Sequence, residues 1–282
     1  MSEERVLQVQ PYRTRLCHDN AYWMARLAQV AYRKKQTAAG EPDTDAILNE
    51  LQAEDPDFIE VTPAAQSSAE AILVEHKHYW CFSFRGTDEI LDWKDNVDFF
   101  PARALFGEFH RGFLASTDDV WETLYPHYRE RHEEDRERGN ARPVFLTGHS
   151  LGGAMATVAA AKLIHADQPF TSAYTFGQPR AMTLDTARIF NVEARQRFHR
   201  FQNNCDIVTR LPARVMGYSH VGSCLYIAQG GRIHDDVGFW FRFLDTVKAN
   251  LAELGDLRLE GVEDHNIDDY LKAIRAWDFS AD

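Results

Sequence analysis

Pro143-Val144-Phe145-Leu146-Thr147-Gly148-His149-Ser150-Leu151-Gly152-Gly153-Ala154 is the stretch that decides the fold. Its first five residues form an apolar, partly β-branched run that reads as a strand. Leu151 to His165 is small-residue and Ala-rich and reads as a helix. Between them, Gly148-His149-Ser150-Leu151-Gly152 fits the pattern G-x-S-x-G. A strand-to-helix turn this tight forces its central residue into strained backbone geometry. Neighbours without side chains, two positions either side, let strand and helix approach that closely. The turn also sets Ser150 at the N-terminus of the following helix, where unsatisfied N–H groups and the positive helix end favour a developing oxyanion. It therefore predicts acyl transfer with Ser150 as nucleophile. The plainer alternative is a glycine-rich turn with a capping serine.

Working outward, Ala71 to Val74, Tyr79 to Phe84, Ala173 to Phe176, Phe198 to Gln202 and Cys224 to Ala228 read as further strands. Helices are predicted over Asp19 to Lys35, over Asp45 to Ala53 with Thr44 as N-cap, over Phe113 to Arg138, and near Asp185 to Arg195. Two more are expected at Phe239 to Leu254 and Ile267 to Ala276. Strand and helix alternate around the Ser150 turn, which implies an α/β fold with a mostly parallel central sheet and helices on both faces.

The 282 residues are 44% hydrophobic, enough for a sizeable core, and no Gly/Ser/Pro-rich linker or internal repeat divides them. One domain over 1–282 is expected. The formal net charge of −12 argues against non-specific nucleic-acid binding and against adhesion to anionic membranes. No apolar run is long enough to span a bilayer, and Met1 to Arg15 is charged and polar without a leader-like core, so the expectation is a cytoplasmic protein. Cys17, Cys81, Cys205 and Cys224 lack metal-type spacing and read as free thiols.

A serine hydroxyl needs a histidine to take its proton and a carboxylate to hold that histidine in the right tautomer. Acids after Ser150 include Asp167, Asp185, Asp206, Asp235 and Asp264; Asp206 is best placed, just beyond the strand at Phe198 to Gln202, at the sheet end where such folds put their chemistry. Among the histidines, His165 falls on the helix after Ser150 and His199 in a strand, leaving His220, His234 and His265. His265 lies in the polar loop Glu263-Asp264-His265-Asn266 before the last helix, free to reach over the sheet, but the residues alone leave it level with the other two together.

Several motifs, in order from about Tyr22 onward, resemble those of the class 3 lipase family. They are Phe84-Arg85-Gly86-Thr87, Asp92-Trp93, His110-Arg111-Gly112-Phe113, Gly148 to Gly153, Phe176-Gly177-Gln178-Pro179-Arg180, Asp206-Ile207-Val208 with Arg210-Leu211-Pro212, and Asp264-His265. The resemblance implies the α/β-hydrolase fold and a Ser150, Asp206, His265 triad. It makes Tyr218-Ser219-His220-Val221-Gly222 a structural stretch, and it implies an oxyanion hole from the backbone N–H groups of Thr87 and Leu151. It implies a lid at about 88–100, where Ile90, Trp93 and Val97 recur at i, i+3 and i+7 with Leu91 beside them; the same pattern equally fits a fixed surface helix packed by Trp93. Ala181 after the Gln-Pro-Arg motif departs from the family pattern.

The expected function is carboxylic ester hydrolysis on lipid or small ester substrates through an acyl-enzyme on Ser150, with no metal and no cofactor. Five acidic residues between Asp88 and Asp98 against Lys94 alone predict neutral or zwitterionic esters of short to medium chain length and transient contact with such interfaces. Two alternatives stand beside it: the same triad acting on thioesters or amides, and a catalytically silent lipid-binding scaffold.

Overall fold

The structure, a computed structural model, describes residues 7–36, 41–87, 100–235 and 264–279. In chain order these form α1 (His18–Val30), α2 (Thr44–Glu54), β1 (Phe58–Gln66), β2 (Ala69–His76) and β3 (Tyr79–Phe84). A hairpin of β4 (Pro101–Ala104) and β5 (Gly107–His110) leads into the long helix α3 (Arg111–Glu137) and then β6 (Val144–His149). Beyond Ser150 come α4 (Leu151–His165), β7 (Ala173–Phe176), β8 (Met182–Thr183), α5 (Leu184–Ala194) and β9 (Phe198–Asn203). The short β10 (Tyr218–Ser219), β11 (Ser223–Ile227), β12 (Ile233–Asp235) and α6 (Ile267–Arg275) complete it.

The main sheet has eight strands in the order β1-β2-β3-β6-β7-β9-β11-β12. Its middle, from β3 to β11, is parallel; β1, β2 and β12 run antiparallel at the two edges. This is the α/β-hydrolase architecture that the strand–turn–helix pattern implies. The central strands are buried on both faces and accordingly read as near-continuous apolar runs, as β6 does. One face packs under α3, α4 and α5 through Phe82, Trp121, Leu146, Met155 and Phe190. The other packs under α1, α2 and α6 through Trp23, Leu27, Leu51, Phe145, Phe201 and Ile274. Helix α4 lies deepest: Leu151 to Ala161 are all buried, which suits a helix apolar all round.

Three local expectations are corrected. Asp43, not Thr44, caps α2, its carboxylate accepting from the Ala46 N–H at 3.1 Å, so Thr44 is already helical. Helix α1 stops at Val30 rather than Lys35, because the chain turns back to form a bridge between Lys34 and Pro42. Strand β1 and the small four-stranded sheet β10-β8-β5-β4 were not expected at all. Pro63 sits inside β1 without cost to the ladder because β1 is an edge strand. The helix expected over Phe239 to Leu254 lies outside the described residues.

Buried histidines make the fold acid-sensitive. His199 on β9 donates from Nε2 to the Thr14 carbonyl at 3.2 Å, and burial holds its pKa down at about 4, against an ordinary 6.5. The unfolded chain therefore binds a proton between those values that the folded chain refuses. Stability is complete above pH 6.5 and falls as the pH drops through that window. His76 shifts in the same direction, again chiefly through burial. His199→Gln is expected to flatten the pH dependence of the unfolding free energy by up to one proton, about 1.4 kcal/mol per pH unit. Urea denaturation at pH 7, 6, 5 and 4 measures that slope, and an unchanged slope contradicts the assignment.

Candidate active site

Ser150 sits at φ 59°, ψ −130°, a conformation that costs a non-glycine residue about 1–3 kcal/mol and persists where surrounding structure dictates it. Packing across the turn dictates it here. A Cβ placed on Gly148 would lie 2.3 Å from the Gly152 carbonyl oxygen, and one placed on Gly152 would lie 2.0 Å from that of Phe84. The first turn of α4 is thus pressed against the end of β3. The Ser150 N–H donates to the Phe176 carbonyl at 2.9 Å, tying the turn to the end of β7 as well. Leu151 opens α4, so its N–H belongs to the first-turn donors that an intrahelical partner cannot reach.

The end of β3 runs past the serine. A Cβ on Gly86 would come within 2.9 Å of the Ser150 Cβ, so the Gly86–Thr87 backbone flanks that serine. Thr87 is half-buried there. Arg85 is anchored by an ion pair with Glu70.

Asp206 follows β9 and is fully buried; His265 precedes α6 and is 1% exposed. The His265 Nδ1–H donates to Asp206 Oδ2 at 2.8 Å. The same oxygen accepts from the Tyr270 hydroxyl at 2.5 Å, while Oδ1 accepts from the Val208 N–H at 2.9 Å. Two strands away in the sheet from β6, this pair is brought back toward Ser150 by Gly177. A Cβ on Gly177 would stand 2.8 Å from both Asp206 Oδ2 and His265 Cε1, so the two side chains pack directly on the turn after Phe176, whose carbonyl holds Ser150. His265 Nε2 is buried with no hydrogen-bond partner among the described residues. An imidazole held by a carboxylate at Nδ1, with Nε2 open, is arranged to take a proton.

The other histidines are placed differently. His220 is half-buried, donates from Nε2 to the Thr209 carbonyl at 2.7 Å, and is held neutral by desolvation of its ring and by the guanidinium groups of Arg200, Arg180 and Arg214. His234 lies on the edge strand β12 and His165 at the exposed end of α4. Ile90, Leu91 and Trp93, with the rest of the expected lid apart from Phe100, lie outside the described residues.

Sequence reasoning missed Tyr270, Gly177, His149 and Tyr32. Tyr270 had a signal, a tyrosine among the apolar positions of α6 where a buried hydroxyl must find a partner. Asp55, Asp57 and His76 bring ligand-type atoms within 4.8 Å of one another, at the opposite end of the sheet from Ser150. His76 Nδ1 accepts from the His78 N–H, so Nε2 of the neutral ring carries the proton and faces the Asp55 carboxylate at 3.4 Å, which leaves that ring no lone pair for a metal.

Residues 81–216 match the family model for lipase (class 3). The chain is 32% identical over 157 residues to the secreted mono- and diacylglycerol lipase 1 of Fusarium solani, covering 55% of this chain and 45% of that one. It is 31% identical over 161 residues to a lipase of Rhizomucor miehei, covering 51% and 40%. The matches therefore span less than half the length of these relatives. Among solved structures, a triacylglycerol lipase whose catalytic centre is a serine protease triad superposes with a TM-score of 0.60 at 25% identity, over 73% of this chain and 78% of that one.

The Fusarium relative is a secreted protein, which overturns the cytoplasmic placement expected from Met1 to Arg15. That expectation rested on the polar character of Met1 to Arg15, which by itself places nothing. Among the described residues no helix is long and apolar enough to cross a membrane. In sequence over residues 81–216 and in fold, the chain resembles the class 3 lipase family.

Proposed function

We propose that the chain hydrolyses carboxylic esters of lipids through an acyl-enzyme on Ser150. His265 removes the serine proton and returns it to the leaving alcohol; Asp206 fixes its tautomer and stabilises the imidazolium. The backbone N–H groups of Thr87 and Leu151 hold the oxyanion, and water then attacks the ester formed on Ser150. The observation that carries this reading is the His265–Asp206 bond of 2.8 Å with Nε2 left open beside the strained serine turn.

We take residues 1–282 as one domain whose lid, at about 88–100, covers the acyl groove with Ile90, Leu91 and Trp93. Following the secreted relative, its substrates are extracellular mono- or diacylglycerols or similar neutral esters, met at a lipid interface.

A fluorophosphonate probe is expected to label the wild-type chain at Ser150 and to leave Ser150→Ala unlabelled. Absence of labelling in the wild type removes the hydrolase reading. A chain-length series of p-nitrophenyl esters, with and without micelles, tests the lid. The rate is expected to rise when the substrate passes from monomers to micelles, and a flat response contradicts interfacial opening.

A further inference from the structure

His149 occupies the second position of the serine motif, at the end of β6, and is 4% exposed. Both its ring nitrogens are engaged. Nε2 lies 2.7 Å from the main-chain carbonyl of His265, and Nδ1 lies 2.8 Å from the Tyr32 hydroxyl. A carbonyl only accepts, so Nε2 carries the proton; Nδ1 of the neutral ring is then an acceptor, and the Tyr32 O–H must donate to it. The two contacts select a single tautomer.

Tyr32 reaches further. Its hydroxyl lies 2.3 Å from where a Gly86 Cβ would stand, so it rests directly on the backbone beside Thr87. Its ring faces the Arg85 guanidinium, 5.3 Å from its centroid. One tyrosine thus touches the end of β3, which carries Gly86 and Thr87, and the imidazole that grips the main chain of His265.

We infer that His149 and Tyr32 are positioning residues, a two-link strut that fixes the His265 backbone relative to the end of β3 and so aims His265 Nε2 at Ser150. This rests on reading Ser150, His265 and Asp206 as the reacting set. The strut suits that task because it does not titrate with the base. Burial, and then the neighbouring charge of His265, hold the His149 pKa well below its ordinary value, so His149 stays neutral while His265 carries the serine proton. The two rings lie with centroids 4.5 Å apart, and a second imidazolium there would oppose the first. The base segment has a separate anchor: Asp264 Oδ2 accepts from the Cys205 N–H at 3.0 Å and from Asn204 Nδ2 at 3.2 Å. Loss of the strut is therefore expected to misaim His265 rather than release it, and a misplacement of about 1 Å costs on the order of 10²-fold in rate.

The test uses the full chain with Tyr32→Phe, His149→Phe and His149→Gln, scored by active-site titration, ester kinetics and thermal melting. Per titrated site, Tyr32→Phe is expected to lower kcat by about tenfold with KM within about twofold, and His149→Phe by about 100-fold. His149→Gln keeps a side-chain N–H for the His265 carbonyl and is expected to recover most of that loss. Fluorophosphonate labelling should slow in the same order while melting temperatures of Tyr32→Phe and His149→Gln stay near wild type. Wild-type kcat in Tyr32→Phe and His149→Phe overturns the strut, as does a loss that follows melting temperature with Gln no better than Phe. If the wild type itself is not labelled, the hydrolase reading fails instead, so the two failures are distinguishable.

Discussion

Asp206→Asn is expected to lower kcat by about 10³–10⁴-fold while the chain stays folded. The wild-type carboxylate only accepts: Oδ2 from His265 Nδ1 and the Tyr270 hydroxyl, Oδ1 from the Val208 N–H. An asparagine cannot reproduce this in either orientation. With Nδ2 in the Oδ2 position, two donors face each other until the His265 proton moves to Nε2, where it blocks removal of the Ser150 proton. With Nδ2 in the Oδ1 position, it opposes the Val208 N–H in a fully buried site. The first orientation stops the chemistry and the second pulls the loop after β9 out of place. Burst kinetics with a p-nitrophenyl ester, with circular dichroism as a check on folding, measure the effect. A loss of less than about tenfold in a folded protein would falsify the role given to Asp206. Tyr270→Phe removes one of three donors and leaves the tautomer intact, so its loss should be far smaller.

The Ser150 turn was legible because its determinants are local: the strand, the two flanking glycines and the helix fall within one continuous stretch. The placement of Asp206 was legible for the related reason that it follows a recognisable strand by three residues. The pairing of His265 was not, since it meets Asp206 across 59 positions and shows no periodicity that His220 or His234 lacks. The family motifs supplied that preference; the residues alone did not. Positions defined by contact were illegible for the same cause. Nothing near Tyr32 in sequence announces a partner at His149, and the glycine at 177 explains itself once acid and base are seen packed on it. Strand β1 went unread because Pro63 and the polar residues Glu60 and Thr62 break the apolar run, which an edge position tolerates. Charge sign and leader arguments constrained partners, but they carried no information on where the protein works.

Gly152→Ala is expected to be the most damaging single-methyl change among the described glycines, and its effect should fall on folding before chemistry. The added Cβ would lie 2.0 Å from the Phe84 carbonyl oxygen and 2.6 Å from its carbon, both main-chain atoms of the buried strand β3. A flexible side chain could swing away from such an intrusion, whereas here α4 or β3 must move. Moving α4 shifts Gly152 against Gly148, whose own missing Cβ already makes room for the Gly152 carbonyl. Moving β3 drags Gly86 and Thr87 from the flank of Ser150. Overpacking a rigid core site costs about 1–3 kcal/mol, and a clash against backbone on both sides belongs at or beyond the upper end. For a chain of this size that is a melting-temperature fall of roughly 6–12 °C, since each kcal/mol corresponds to about 2–4 °C. Gly139→Ala is the matched control, because at φ 73° it carries the backbone penalty of a positive φ with nothing within 4 Å of its Cβ. Equal losses in the two variants would mean that close approach is not what the serine turn demands of its glycines. A larger loss at Gly152, with fluorophosphonate labelling of the surviving folded fraction slowed as well, is the outcome expected of a turn whose tightness both holds the sheet and helix together and presents the nucleophile.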